Sequence, residues 1–103
     1  MVAGSAERAK ALDDYLADPP DGASALDIAE TLGRLKQGEL LSPESTDYLL
    51  TLMGQTVTVS SRLRAGLAPG WTLRHKTGTG QVNGRLATGY NDVGLLTAPD
   101  GTV

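Results

Sequence analysis

Two extended runs in the last third of the chain constrain its fold more than any other feature. Residues 71–80 (WTLRHKTGTG) follow the turn signal of Pro69 and Gly70, and residues 93–96 (VGLL) lie beyond a polar, glycine-rich connection. Short apolar runs bounded by glycine and proline are typical of β-strands. The sequence therefore predicts an antiparallel hairpin whose first arm carries a lysine, two threonines and two glycines.

The first arm concentrates the polar chemistry of the hairpin. Successive side chains of a strand point to opposite faces, so Lys76, Gly78 and Gly80 share one face and Thr77 and Thr79 share the other. Glycine within a strand often marks the close approach of a ligand or of another backbone. A cation, two hydroxyls and a bare main chain suit a ligand that carries a carboxylate and a carbonyl. The same residues also fit an ordinary hairpin with a Lys-Thr surface patch and a glycine bulge.

Composition restricts the class of protein. The chain has 103 residues, 20% of them charged, and a net charge of −3, which predicts at most one domain and no nucleic-acid partner. We find no apolar run long enough for a membrane span and no signal peptide. Cysteine is absent and there is one histidine, so we expect no disulfide, no metal and no cofactor. Phenylalanine is also absent, which leaves few large side chains for a core.

Three helices are predicted upstream of the hairpin. The first covers residues 6–17 with Ser5 as its N-cap, the second follows Ser24 and ends near Gly38, and the third runs from Ser42 to Gly54. Residues 60–65 fit a short helical turn. The predicted organisation is a helix and loop over residues 1–25, a helical segment over 26–66 and the β-hairpin over 67–103, with the helices as scaffold.

The last residues carry a strong turn signal. Pro99, Asp100 and Gly101 form it, and Thr102 and Val103 begin what should be the next strand. Turn chemistry of this kind normally connects two paired strands. We therefore expect the sequence to be cut inside a hairpin and to encode only part of a larger fold.

From about Leu26 onward the sequence resembles the C-terminal half of a class A β-lactamase, within the wider penicillin-binding serine hydrolases. The matching segments follow the order of that family: TL at 31–32, LLSP at 40–43, RLRAGL at 62–67, PGW at 69–71, KTGTG at 76–80 and NDVG at 91–94. The resemblance implies an α/β fold of the α+β type, with helices packed on an antiparallel sheet. It also implies that a nucleophilic serine opens a β-lactam ring through an acyl-enzyme.

The resemblance assigns roles to residues of the strand. Lys76 matches the lysine of the Lys-Thr-Gly motif, which attracts the substrate carboxylate, and Thr77 matches a hydrogen-bond donor to the same group. Thr79 would offer its backbone N–H to an oxyanion hole, and its hydroxyl would lie near the ligand. Gly78 and Gly80 would keep the strand close to the acylated ligand. Lys76 and Thr79 are thus the expected catalytic residues.

Arg62 matches a position where some members of the family place a carboxylate-binding arginine, and Arg85 lies near another such position on the hairpin. Arg62 is the preferred candidate, because the alignment of Arg85 depends on how the connection 81–90 is gapped. The residue before the lysine departs from the family pattern. His75 replaces an acidic residue that is common there, which removes the expected partner of Arg64.

Several parts of the family mechanism are not encoded in this chain. The Ser-x-x-Lys and Ser-Asp-Asn motifs are absent, and the resemblance places both upstream. The deacylating glutamate, usually in Glu-x-x-Leu-Asn, is also absent before Asp21, and Glu7 is a poor substitute. We therefore expect no acyl transfer by this chain alone. The resemblance implies that the intact parent is periplasmic or secreted.

Three functions remain open from the sequence. The chain is part of a serine β-lactamase, part of a D-alanyl-D-alanine transpeptidase, carboxypeptidase or esterase-like relative, or a non-catalytic chain that lends a sheet edge to a partner. The expected small-molecule partner is a β-lactam or a D-Ala-D-Ala-like compound. The expected protein partner is the missing N-terminal part, as a second chain, or a swapped copy of this chain.

Overall fold

The computed structural model describes residues 4–103 as helices followed by a sheet. The elements are α1 (Ser5–Ala17), α2 (Ala25–Lys36), α3 (Pro43–Gly54), a 3₁₀ turn (Leu63–Gly66), β1 (Thr72–Thr79), β2 (Val82–Asn83), β3 (Leu86–Ala87) and β4 (Tyr90–Thr97). Helices α2 and α3 pack on an antiparallel sheet. The fold class predicted from the sequence is therefore confirmed.

Local side-chain caps explain where α2 and α3 begin. The Ser24 hydroxyl accepts a hydrogen bond from the Asp27 N–H at 3.0 Å, and the Ser42 hydroxyl accepts one from the Ser45 N–H at 3.1 Å. Such caps satisfy N–H groups that the first turn of a helix leaves without partners. Pro43 occupies the first turn of α3, where its missing N–H costs nothing.

Helix α1 begins one residue earlier than the sequence predicts. The N-cap is Gly4, and Ser5 is already helical. The carboxylate of Glu7 accepts the Gly4 N–H at 3.2 Å, which makes Gly4 the N-cap and uses the Glu7 side chain for capping.

The strands form two antiparallel two-stranded sheets, a long one of β1 and β4 and a short one of β2 and β3 that extends the same hairpin. Strands β1 and β4 pair antiparallel from Thr72 opposite Thr97 to Thr79 opposite Tyr90. Beyond them, β2 and β3 pair around a two-residue turn, so the glycine-rich connection itself continues the hairpin. The predicted arms and their antiparallel pairing are both present.

The core lies between α2, α3 and one face of the hairpin. It contains four buried apolar side chains, with Leu32 and Leu49 packed against them: Leu35, Leu50, Met53 and Leu95. Full burial of such a side chain contributes about 1.5–3 kcal/mol relative to exposure. Helix α1 has no buried residue. Among the described residues, no helix is both long and apolar enough to cross a membrane.

Candidate active site

The edge of β1 away from β4 is the main candidate for binding chemistry. Within residues 4–103, β1 pairs with β4 alone, so its other edge has no strand beside it. The Gly80 N–H donates to the Gly89 carbonyl on the β4 side at 2.8 Å. Successive N–H groups of a strand point to opposite edges, and the Thr79 N–H therefore points to the open edge. An outward backbone donor of this kind is what an oxyanion requires.

The ammonium of Lys76 reaches the same open edge. Its side chain is exposed, and Nζ donates to the carbonyl of Thr77 at 2.6 Å. By the same alternation the Thr77 carbonyl and the Thr79 N–H share an edge, and two residues of strand span about 7 Å. A positive charge and a backbone donor thus lie along one edge of β1, a combination that suits a ligand with a carboxylate and a carbonyl.

The threonine hydroxyls lie on the face that the segment before β1 covers. The Thr77 hydroxyl is 2.7 Å from the Thr58 hydroxyl, and the Thr79 hydroxyl accepts a hydrogen bond from Arg62 Nη2 at 2.9 Å. A hydroxyl has two acceptor lone pairs and one donor hydrogen. Because Thr79 acts as an acceptor towards Arg62, its O–H remains able to donate to a ligand.

Arg62 is placed beside Thr79, across both strands. Its Nη1 donates to the Gly78 carbonyl at 3.1 Å and to the Asn91 carbonyl at 2.6 Å, and its Cζ lies 3.7 Å from the centre of the Tyr90 ring. The guanidinium has five N–H groups, of which three are used in these bonds and the bond to Thr79. Nε is buried and has no partner among the described residues. This geometry leaves one Nη2 hydrogen for a ligand.

Arg85 lies apart from this group. It is exposed in the turn between β2 and β3, at the far end of the hairpin extension. None of the hydrogen bonds within residues 4–103 joins Arg85 to Lys76, Thr79 or Arg62. The structure therefore brings together five of the six predicted site residues and leaves Arg85 outside.

The two glycines of the motif have a packing reason within the hairpin. A Cβ atom on Gly78 would collide with the Asn91 side chain, and one on Gly80 would collide with the Thr88 hydroxyl and lie 2.7 Å from the Gly89 nitrogen. The missing side chains at Gly78 and Gly80 thus allow residues 88–91 of the same hairpin to lie close to β1. Their expected closeness to a ligand remains a prediction.

Sequence reasoning did not find the buried pair formed by His75 and Asp92. Nδ1 of His75 is 2.7 Å from Oδ1 of Asp92, and the two side chains are 0% and 4% exposed. The other oxygen of Asp92 accepts the Leu63 N–H at 3.2 Å. Arg64, whose expected partner is replaced by His75, instead donates to the Thr56 carbonyl at 3.4 Å. The signal for this pair is the hairpin register, which sets Asp92 opposite Thr77, next to His75 on the same face.

A groove of about 510 Å³ adjoins the glycine end of β1. The sheet contributes Gly78, Thr79, Gly80, Thr88, Gly89 and Asn91, and the helical side contributes Tyr15, Leu16, Pro19, Asp21, Gly22, Ala23 and Ile28. The Tyr15 hydroxyl donates to the Asp21 carboxylate at 2.7 Å, and this hydrogen bond raises the pKa of Tyr15. Glu7 is not among the lining residues.

Comparison with known proteins identifies the family. Residues 4–103 match the family described as the β-lactamase enzyme family, and the chain belongs to it. Curated relatives include β-lactamase VEB-1 of Pseudomonas aeruginosa, 40% identical over 65 residues that make up 63% of this chain and 22% of that protein. A β-lactamase of Streptomyces albus G is 38% identical over 77% of this chain and 24% of its own length. The chain thus spans about a quarter of the length of these relatives.

Solved structures agree with the family assignment. A β-lactamase from Chitinophaga pinensis superposes with a TM-score of 0.75 and 32% identity, over 98% of this chain and 36% of that one. The TLA-1 extended-spectrum β-lactamase superposes with a TM-score of 0.66 and 36% identity, over 72% of this chain and 27% of that one. The resemblance to the class A β-lactamases that the sequence indicates is confirmed.

Proposed function

We propose that this chain supplies the Lys-Thr-Gly strand of a serine β-lactamase. One observation carries the proposal: the Thr79 N–H and the Lys76 ammonium share the open edge of β1. Membership of the β-lactamase family supports the choice of substrate, a β-lactam that carries a carboxylate. Other carboxylate-bearing carbonyl compounds fit the edge equally well on geometry alone.

The proposed reaction uses this edge for charge stabilisation. The substrate carboxylate binds Lys76 Nζ, with the hydroxyls of Thr77 and Thr79 beside it, and the lactam carbonyl oxygen accepts the Thr79 N–H. A serine oxygen then attacks the carbonyl carbon, the C–N bond of the ring breaks, and the serine proton passes through a base to the ring nitrogen. Water hydrolyses the resulting ester. Removing one oxyanion donor costs about 10²–10³ in turnover in a serine hydrolase.

The serine, its base and the second oxyanion donor come from residues outside 1–103. These residues belong either to a longer polypeptide that includes 1–103 or to a second polypeptide. The motifs that would provide them are not present in residues 1–103. We therefore propose that residues 1–103 alone form no acyl-enzyme. We also propose that the whole protein acts in the periplasm or outside the cell.

The test uses the native protein, expressed from its complete gene together with any tightly bound chain. Incubation with benzylpenicillin followed by intact-mass and peptide mass spectrometry should show one acyl adduct on a serine outside residues 1–103. Lys76→Ala should lower kcat/KM by roughly 10²-fold, because a charged partner of the carboxylate is lost. Lys36→Ala, at the exposed end of α2, is the matched control.

Each result decides a separate point. An adduct within residues 1–103 would refute the external nucleophile. Full activity in Lys76→Ala would refute the role of the strand. Absence of both adduct and hydrolysis in the native protein would leave the non-catalytic alternative, in which the open edge of β1 binds another chain.

A slowly deacylating relative of the penicillin-binding proteins is the second candidate. It is favoured by Glu7, the only glutamate before α2, which caps Gly4 and does not line the groove. Such a protein acylates but releases product slowly, because no carboxylate activates the water. The lifetime of the adduct separates the two candidates: persistence for hours indicates the second, and loss within seconds indicates a β-lactamase.

A further inference from the structure

We propose that the buried pair of His75 and Asp92 is a positioning device for Arg62, and that it tunes binding of the substrate carboxylate through that arginine. The inference rests on the proposed function for its kinetic consequence. Its structural basis is a continuous set of contacts from the buried imidazole to the glycine end of β1.

Asp92 connects two parts of the chain that are distant in sequence. One carboxylate oxygen faces His75 Nδ1 on β1 at 2.7 Å, and the other accepts the N–H of Leu63 at 3.2 Å. Leu63 follows Arg62 directly, so this second bond fixes the backbone from which the arginine side chain extends. Hydrogen bonds to a charged acceptor are shorter and stronger than neutral ones. Both oxygens of Asp92 thus take part in holding this segment.

The imidazole is held in one orientation. His75 is fully buried, and its register partner across the hairpin is Gly94. A Cβ atom at Gly94 would lie 2.7 Å from the His75 Cβ and would collide with the Arg74 carbonyl, so this space exists only because residue 94 is glycine. A close-packed side chain of this kind cannot rotate without displacing its neighbours. His75 therefore restricts the carboxylate of Asp92 to the position that reaches Leu63.

The placement of Arg62 depends on the position of the Asp92 carboxylate, because the guanidinium has to meet three hydrogen-bond acceptors and one aromatic ring at the same time. It bonds the carbonyls of Gly78 and Asn91 and the hydroxyl of Thr79, and it stacks on Tyr90. Hydrogen bonds weaken steeply outside a narrow range of distance and angle. A shift of the backbone at Leu63 would therefore distort the bond to Thr79 together with the bonds to the two carbonyls. Thr79 is the residue whose N–H and hydroxyl face the proposed ligand.

Two amide variants make a matched pair for the test in the native protein. The side-chain nitrogen of asparagine occupies nearly the same place as histidine Nδ1, whereas that of glutamine corresponds to Nε2. His75→Asn should therefore retain the bond to Asp92 and behave like the native protein. His75→Gln should lose it, and KM for benzylpenicillin should rise roughly tenfold, the effect of one charge-assisted hydrogen bond, with kcat changed less than about threefold.

A double variant and a second substrate separate positioning from general damage. His75→Gln should add nothing to the effect of Arg62→Ala, and neither change should affect the methyl ester of benzylpenicillin, which has no free carboxylate. Additive effects, or an equal loss with the ester, would overturn the proposal. If His75→Gln does not fold, Asp92→Leu, which keeps the approximate size of the side chain but has no acceptor for the Leu63 N–H, takes its place with the same expected rise in KM.

Hydrogen exchange provides a readout that does not require catalysis. The Leu63 amide should exchange roughly tenfold faster in His75→Gln than in the native protein and in His75→Asn, because its acceptor is no longer held. Unchanged exchange would overturn the positioning role even in an active enzyme. If the Leu63 amide exchanges faster in His75→Gln but the native protein forms no acyl adduct, the positioning role stands and the proposed function is refuted instead.

Discussion

At the scale of residues, the two sides of β1 have different tasks. The hydroxyls of Thr77 and Thr79 and the imidazole of His75 bind the segment that precedes the strand and the partner strand β4. The Lys76 ammonium instead lies at the open edge. The alternation of side chains along a strand separates these tasks. A substitution at the edge therefore tests direct contact with the ligand, whereas a substitution on the face of Thr77, Thr79 and His75 also changes the contacts that hold Arg62 and the preceding segment.

Tyr15 in the groove gives a prediction about pH. Its hydroxyl donates to Asp21, and this hydrogen bond, with smaller contributions from desolvation and the negative charge, raises the tyrosine pKa above its ordinary value of about 10. The contribution of the bond to stability is present below the unfolded pKa and is lost as the pH rises through the folded pKa. Absorbance titration at alkaline pH should show one late tyrosine that disappears in Tyr15→Phe and returns to the ordinary range in Asp21→Asn. A late tyrosine that persists in Tyr15→Phe would contradict this assignment.

The residues of the motif are readable from the sequence, but the contacts of Asp92 are not. Lys76, Thr77 and Thr79 lie within one strand, where alternation alone predicts which share a face. Asp92 meets His75 only after the chain passes through the extension formed by β2 and β3, and the register depends on the length of that extension. Local sequence signals carry no information about this pairing, since a slip of one residue reverses the faces.

At the scale of elements, the segment between α3 and the 3₁₀ turn is joined to β1 at alternate residues. The Thr56 hydroxyl donates to the His75 carbonyl at 2.6 Å, and the Thr58 hydroxyl bonds that of Thr77. The alternating residues 56–59 (TVTV) favour a strand in sequence, yet the segment is irregular in the structure. Side-chain hydrogen bonds take the place of a backbone ladder because the two threonines reach the same side of the segment.

The backbone of Val59, in the irregular segment before the 3₁₀ turn, is strained. Its φ angle is +47°, a left-handed conformation that is unfavourable for a β-branched residue by about 1–2 kcal/mol. Val59→Gly should therefore leave stability unchanged or raise it by about 1 kcal/mol, although a partly buried side chain is removed. Urea denaturation of the native protein measures the change. Val57→Gly, at an exposed neighbour, is the control, and destabilisation of Val59→Gly by more than that control would contradict the account.

The helices were easier to predict than the sheet extension for a physical reason. Caps such as Ser24 and Ser42 act within three residues, so the sequence alone locates the starts of α2 and α3. Even the error at α1 is local, because Glu7 selects Gly4 over Ser5 as the cap. Strands β2 and β3 have two residues each and lack an apolar run, so no periodic signal marks them.

At the scale of the molecule, residues 4–103 bury few apolar side chains. Five are buried, and fifteen large hydrophobic residues are exposed. The radius of gyration is 17.1 Å, compared with about 13 Å for a compact domain of 100 residues. The chain spans about a quarter of the length of its relatives, and a polypeptide of this size with so small a core gains little stability from burial.

The isolated polypeptide of residues 1–103 should therefore unfold without a sharp transition. Its urea dependence should be shallow, with an m-value below about 1 kcal/mol per M, because m increases with the surface exposed on unfolding. Circular dichroism and tryptophan fluorescence of Trp71 measure the transition with two probes, and the native protein provides the cooperative reference. A steep transition that coincides for both probes would contradict the prediction. It would show that the core around Leu35, Leu50, Met53 and Leu95 sustains a two-state fold without further chain.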